Sequence, residues 1–274
     1  WKRGGHGAVG LHEAIKQSCD IYFYEVARRT GIDAIAAMSN RFGLGVAPGI
    51  ELPGARAGLV PTRAWKQTRV GAPWQVGETL VHGIGQGFLQ TTPLQLAVMT
   101  ARLVNGGRAV QPHLTRAIDG RLLRGAQPED WPLMGIPDQH LTLMRQAMAA
   151  VVNERGGTAF ASRLPAETGA EMGGKTGTTQ VRRITLAERE RGLRRAEEIP
   201  YEWRDHALFV GYAPVAAPAY ACAVIVEHGG GGSAVAAPVA RDIMAETLSR
   251  DPARRTTPPE PSYHIVAARQ ESRR

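Results

Sequence analysis

The sequence predicts an α+β fold: an antiparallel sheet flanked by helices. Three observations carry that reading. Apolar residues recur at helical spacing in the first 152 positions, three short apolar runs of strand length follow between Gly174 and position 227, and a last helical stretch closes the patterned part. Helices, then strands, then a helix is the order of a segregated α+β architecture, not of the alternation that builds a parallel sheet.

Element by element, residues 11–30 place apolar side chains at 11, 15, 19, 22, 23, 26 and 27, a helical spacing stopped by Gly31. Asp33 reads as the N-cap of a short second helix ending at Gly43. Glycine and proline dominate from 44 to 80, which reads as a long irregular surface segment. "TTPLQLAVMTARLVNGG" is the clearest helix, with Thr92 as cap, Pro93 in the first turn and Gly106 as stop. A further helix runs from about Gln139 to Val152 behind Asp138 as cap. The strands are the run after Gly174, "HALFVGYAP" at 206–214 and the stretch 220–227; the final helix extends from near Pro238 to about Leu248.

Two segments stand outside this pattern. Residues 182–205 interrupt the first two strands as a charged insert with a solvated face, and the Pro-, Arg- and Ser-rich tail 251–274 reads as disordered. The folded part is therefore 1–250. The chain opens on tryptophan, as a processed or partial chain would. Its longest apolar run, "YACAVIV" at 220–226, is of strand length and far short of the ~18–20 residues that cross a bilayer.

Charge narrows the function classes. The formal balance is +8, from 29 arginines and 4 lysines against 25 acidic residues. That permits anionic partners such as nucleic acid, phospholipid headgroups or cell-wall polymers, but zinc-finger spacing and aromatics interleaved with basic residues are both missing, so nucleic acid is not the expected partner. The scarcity of lysine singles out Lys175, a compact ammonium that can lose its proton where guanidinium cannot. Two cysteines, Cys19 and Cys222, make no disulfide framework, and Cys222 alternates with apolar residues as a small buried hydrophobe would.

Two short stretches carry chemistry. In "GGKTGT" strand alternation puts Lys175 and Gly177 on one face and Thr176 and Thr178 on the other. Gly177 leaves the backbone beside the lysine bare, open to main-chain hydrogen bonds from a substrate. In "SCD", Ser18 and Asp20 diverge on a continuous helix but converge into one cleft if the chain breaks there. "GIGQG" at 83–87 lacks a dinucleotide-binding spacing, and its glycines suit a loop passing close to a cleft wall; "HGGGG" at 228–232 reads as a flexible strand-to-helix turn. His12-Glu13 lacks the second histidine of a zinc-protease helix.

The ordered set "WKRGGHG", "SCDIYFYEVA", "PTRAWK", "GIGQGFLQTTPLQLA", "GGKTGT" and "LFVGYAPV…VEHGG" resembles the class B penicillin-binding proteins, and within them the elongation type called penicillin-binding protein 2. The resemblance spans about residues 1–248. It implies a penicillin-binding transpeptidase fold, incomplete here at its N-terminal side. It implies a D,D-transpeptidase that cross-links peptidoglycan stem peptides, fed by a lipid-linked precursor, through a serine acyl-enzyme that β-lactams trap. By the same resemblance Ser18 relays protons and bonds Lys175. Thr176 and Thr178 hydroxyls hold the substrate's terminal carboxylate beside Gly177, and the Thr178 N–H forms half of an oxyanion hole. Asp20 replaces the asparagine of the wider superfamily and, when ionised, only accepts hydrogen bonds.

The nucleophile is a different matter. The serines are 18, 39, 162, 233, 249, 262 and 272, and none is followed three positions on by lysine. The resemblance places the serine-x-x-lysine motif, a membrane anchor and the first strands ahead of Trp1, so the chain alone is expected to be inactive. It also implies a Zn²⁺ site of two aspartates, a histidine and a cysteine, for which His6 and Cys19 match in position; that is half a site. An elongation glycosyltransferase and its membrane scaffold are the implied partners, at the periplasmic face of the bacterial inner membrane. A D,D-carboxypeptidase or β-lactamase relative, and a nucleophile-less binding module, remain alternatives.

Overall fold

The computed structural model describes residues 4–123, 127–182, 188, 198–251 and 253. Most of the charged insert and the tail from 254 lie outside these residues. The described part is α+β: helices precede and follow a three-stranded antiparallel sheet whose strands lie in chain order.

The predicted 11–30 helix is two helices, α1 (Leu11–Lys16) and α2 (Asp20–Thr30). Ser18 lies between them with φ of +54°, a left-handed conformation that residues with a Cβ adopt at a cost. The break turns the chain: Leu11 and Ile15 of α1 and Phe23 of α2 reach the main apolar cluster, whereas Ala27 packs against Gly83 and Val26 is exposed. Next, α3 (Ile32–Arg41) is capped by Gly31, not by Asp33. Asp33 sits in its first turn and accepts the backbone N–H of Arg63 at 3.1 Å, so it satisfies an orphan donor of a different helix.

That helix, α4 (Arg63–Val70), and α5 (Val76–His82) correct the reading of 44–80 as irregular throughout. Thr62 caps α4 by accepting from Trp65 N–H at 3.0 Å, and left-handed Gly71 ends it. A capping box between Gln75 and Glu78 opens α5. Lys66, buried, donates to both Glu78 carboxylate oxygens, at 2.5 and 2.7 Å, and to Pro73 O at 2.9 Å, tying the two helices together.

Helix α6 (Pro93–Val104) has the predicted Thr92 cap, with a capping box to Gln95. The two-residue strands β1 (Ala117–Ile118) and β2 (Arg121–Leu122) form a small hairpin that the sequence reading missed. In α7 (Asp138–Asn153) the expected cap, Asp138, is instead the first helical residue after Pro137.

The sheet comprises β3 (Gly173–Thr179), β4 (His206–Ala213) and β5 (Tyr220–Val226), with Lys175 opposite Val210 and Gly211 opposite Cys222. Alternation along β4 divides the core. Tyr212 packs with Val104 of α6 and Met148 of α7. Ala207, Phe209 and Ala213 join a larger cluster with Met172, Val151 and α8 (Ala236–Arg250), through Ala236, Ala237, Ala240 and Met244. Burying a side chain as large as Phe209 contributes about 2–3 kcal/mol. The glycines before Lys175 make room for these rings: a Cβ on Gly174 would collide with Phe209, and one on Gly173 with Tyr212.

Candidate active site

The break at Ser18 and the edge strand β3 build the site together. Lys175 Nζ donates to Ser18 Oγ at 2.8 Å, joining positions 157 residues apart. The same ammonium donates to Thr176 O at 2.8 Å. Burial pushes the Lys175 pKa down to about 8, and the Asp20 carboxylate, close enough to act electrostatically, opposes that shift. Ser18, Asp20 and Lys175 therefore form one coupled group. A serine hydroxyl held by a lysine poised near neutrality is equipped to pass a proton.

The remaining predicted residues are placed as follows. Thr176 Oγ1 lies 2.8 Å from Thr158 Oγ1, a contact nothing in the local sequence announces. Thr178 is exposed on β3, and its carbonyl accepts Gln86 Nε2 at 2.7 Å. A Cβ on Gly177 would meet only Leu208 Cβ, at 3.3 Å, so the face beside Lys175 is open there. Cys19 is buried, and His6 is partly buried ahead of α1. Cys222 is partly buried, and burial raises its thiol pKa to about 11.

Gln86 and Thr158 are the residues that motif reading missed. The "GIGQG" loop does approach the strand, as its glycines suggested; the side chain that makes the contact was not identified. Nor is the "HGGGG" turn loose throughout. A Cβ on Gly232 would collide with the carbonyls of Gly177 and Leu208, so Gly232 is packed directly against the β3–β4 ladder.

Among the described residues, His12, Glu13 and Glu154 form the one grouping of three metal-type ligands. Lys16 Nζ holds both carboxylates at 3.0 Å, so an ammonium already supplies the positive charge. No helix among the described residues is long and apolar enough to cross a membrane.

Comparison with known proteins bears on family and fold. The penicillin-binding protein transpeptidase domain family matches residues 1–245. The peptidoglycan D,D-transpeptidase MrdA of Haemophilus influenzae is 41% identical over 260 residues, covering 91% of this chain and 38% of the relative. Its namesake from Escherichia coli is 36% identical over 237 residues, covering 86% and 36%. Pseudomonas aeruginosa PBP2, solved in complex with WCK 5153, has a TM-score of 0.74 and 39% identity over 90% of this chain and 49% of its own. Helicobacter pylori PBP2, solved in complex with MreC, has a TM-score of 0.76 and 29% identity over 91% and 42%. The chain thus spans less than half of each of these relatives.

Proposed function

The chain belongs to the penicillin-binding protein transpeptidase family, and on that premise we propose that it is part of a peptidoglycan D,D-transpeptidase of the elongation type. The observation that carries this reading is the 2.8 Å bond from Lys175 Nζ to Ser18 Oγ beside an edge strand. In the proposed reaction a serine supplied by another segment of the full-length protein attacks the penultimate D-alanine carbonyl of a stem peptide. The last D-alanine leaves, and the acyl group passes to the amine of a neighbouring stem. Ser18 relays the proton between nucleophile and leaving amine, and Lys175 holds Ser18 and favours the donor's terminal carboxylate. The Thr178 N–H faces the charge that develops on the carbonyl oxygen. None of the seven serines here has a lysine three positions on, so this chain alone would form no acyl-enzyme.

Cys19 and His6 fit a zinc site in donor chemistry, as thiolate and imidazole, but supply two of the four ligands a closed site needs. Such an ion would tether the segment leading into Ser18. The H. pylori neighbour was solved with MreC, and another neighbour, 34% identical, was solved in a peptidoglycan synthase complex. A membrane scaffold and a glycosyltransferase are accordingly the proposed partners, at the periplasmic face of the inner membrane.

The test is to label the full-length gene product with fluorescent penicillin and supply stem pentapeptide with an acceptor amine. Transfer to the amine supports the transpeptidase; release to water alone would make it a carboxypeptidase. Absence of any acylation would sink both.

A further inference from the structure

The outer edge of β3 is partly occupied by the protein itself. Among the described residues β3 pairs with β4 on one side only, and its other edge is where an extended donor would add as a strand. In an antiparallel pair, successive residues turn their N–H and C=O alternately toward the partner and away from it. The Thr176 carbonyl is taken by Lys175 Nζ and the Thr178 carbonyl by Gln86 Nε2, which identifies 176 and 178 as outward-facing positions. Gln86 is held for this contact. Its own N–H donates to Val81 O at 3.1 Å, and Gly85 and Gly87 on either side have φ of +79° and +82°, left-handed turns that present it at the loop's apex.

Resting on the transpeptidase reading above, we propose that Gln86 is a gating residue whose carboxamide stands in for the acyl donor's own amide at the Thr178 carbonyl. A donor that adds to β3 offers a backbone-like N–H to that oxygen and replaces the Gln86 contact. A donor without that N–H leaves the Gln86 contact in place. Gln86 therefore competes with amide-bearing acyl donors for that oxygen and sets how tightly they bind before chemistry.

The experiment uses the full-length gene product and two probes: benzylpenicillin, and its analogue N-methylated at the side-chain amide. Competition labelling gives the dissociation constant before acylation for the wild type, Gln86→Met and Gln86→Ala, with thermal midpoints as a check on folding. Removing the competing contact should tighten benzylpenicillin by ~3–10-fold, the size of one net hydrogen bond, and leave the N-methyl analogue within about twofold. Equal weakening of both probes would mean that Gln86 only holds the strand, and no change in either would mean that the contact is idle; both overturn the proposal. If the wild type takes up neither probe, the transpeptidase reading falls first and this one with it.

Discussion

Lys175 titrates in a range where its charge state matters. Burial lowers its pKa to about 8 from an ordinary value of 10.5, while Asp20 works in the other direction. The sign follows from proton counting. Between pH 8 and 10.5 the unfolded chain binds more protons at this lysine than the folded one, so its contribution to stability rises with pH across that window. Below 8 both states are protonated and the penalty of burying the ammonium is constant. For activity the ammonium is the form that donates to Ser18, so acylation of the full-length protein should fall along an alkaline limb near pH 8. Asp20→Asn removes the charge that favours the ammonium, and the limb should move to lower pH; a pH profile that stays put would show that Asp20 does not act through Lys175. Lys175→Ala should slow acylation by at least ~10²-fold, read as the rate of fluorescent-penicillin labelling. Lys175 was legible because lysine is rare in this chain. The bond from Lys175 to Ser18 was expected from the family resemblance, whereas the left-handed conformation of Ser18 was not, since serine at positive φ has no sequence signature.

At the scale of elements, the sequence reading succeeded where a helix carries its own signals and failed where a cap is borrowed. Thr92, Pro93 and Gln95 mark the start of α6 locally, and the structure keeps them in those roles. Asp33 has the right chemistry for a cap but serves α4, thirty positions on, because Gly31 already opens α3. Asp33→Ala should therefore destabilise the fold by ~1 kcal/mol through α4, while Asp33→Asn retains most of it; denaturation midpoints decide. Helices α4 and α5 were hidden among glycines and prolines because each is short, and their apolar stripe is interrupted by Lys66, a charged residue that is buried. Its partner Glu78 has its pKa lowered by Lys66 and the Gln75 N–H against the opposing effect of burial. Lys66→Met alone should cost about 3 kcal/mol or more by stranding Glu78, whereas adding Glu78→Leu should recover much of that loss. A double-mutant cycle showing additive losses would mean that the pair does not act as a unit.

At the scale of the whole molecule the sheet explains why the site lies where it does. The three strands were legible because each is a short apolar run bounded by turn residues. Their order, with the lysine strand at an edge and the most buried strand in the middle, was not, because it depends on pairing across the 182–205 insert. β4 is paired on both sides and holds Phe209 and Tyr212, both almost fully buried; β3 is paired on one side, and among the described residues its outer edge meets Gln86 and the Lys175 ammonium. Protection of backbone amides should report this asymmetry within a single strand. In native-state hydrogen exchange, the inward N–H groups of Lys175 and Gly177 should exchange only through larger openings, as those of β4 do, whereas the outward N–H groups of Gly174, Thr176 and Thr178 should exchange much faster. A non-transferable stem-peptide analogue bound to the full-length protein should then slow the Thr176 and Thr178 amides selectively, because an added strand pairs with the outward groups and leaves the inward ones as they were. Uniform protection along β3 in the free protein would mean that the edge is already covered, and the donor would then have to dock elsewhere.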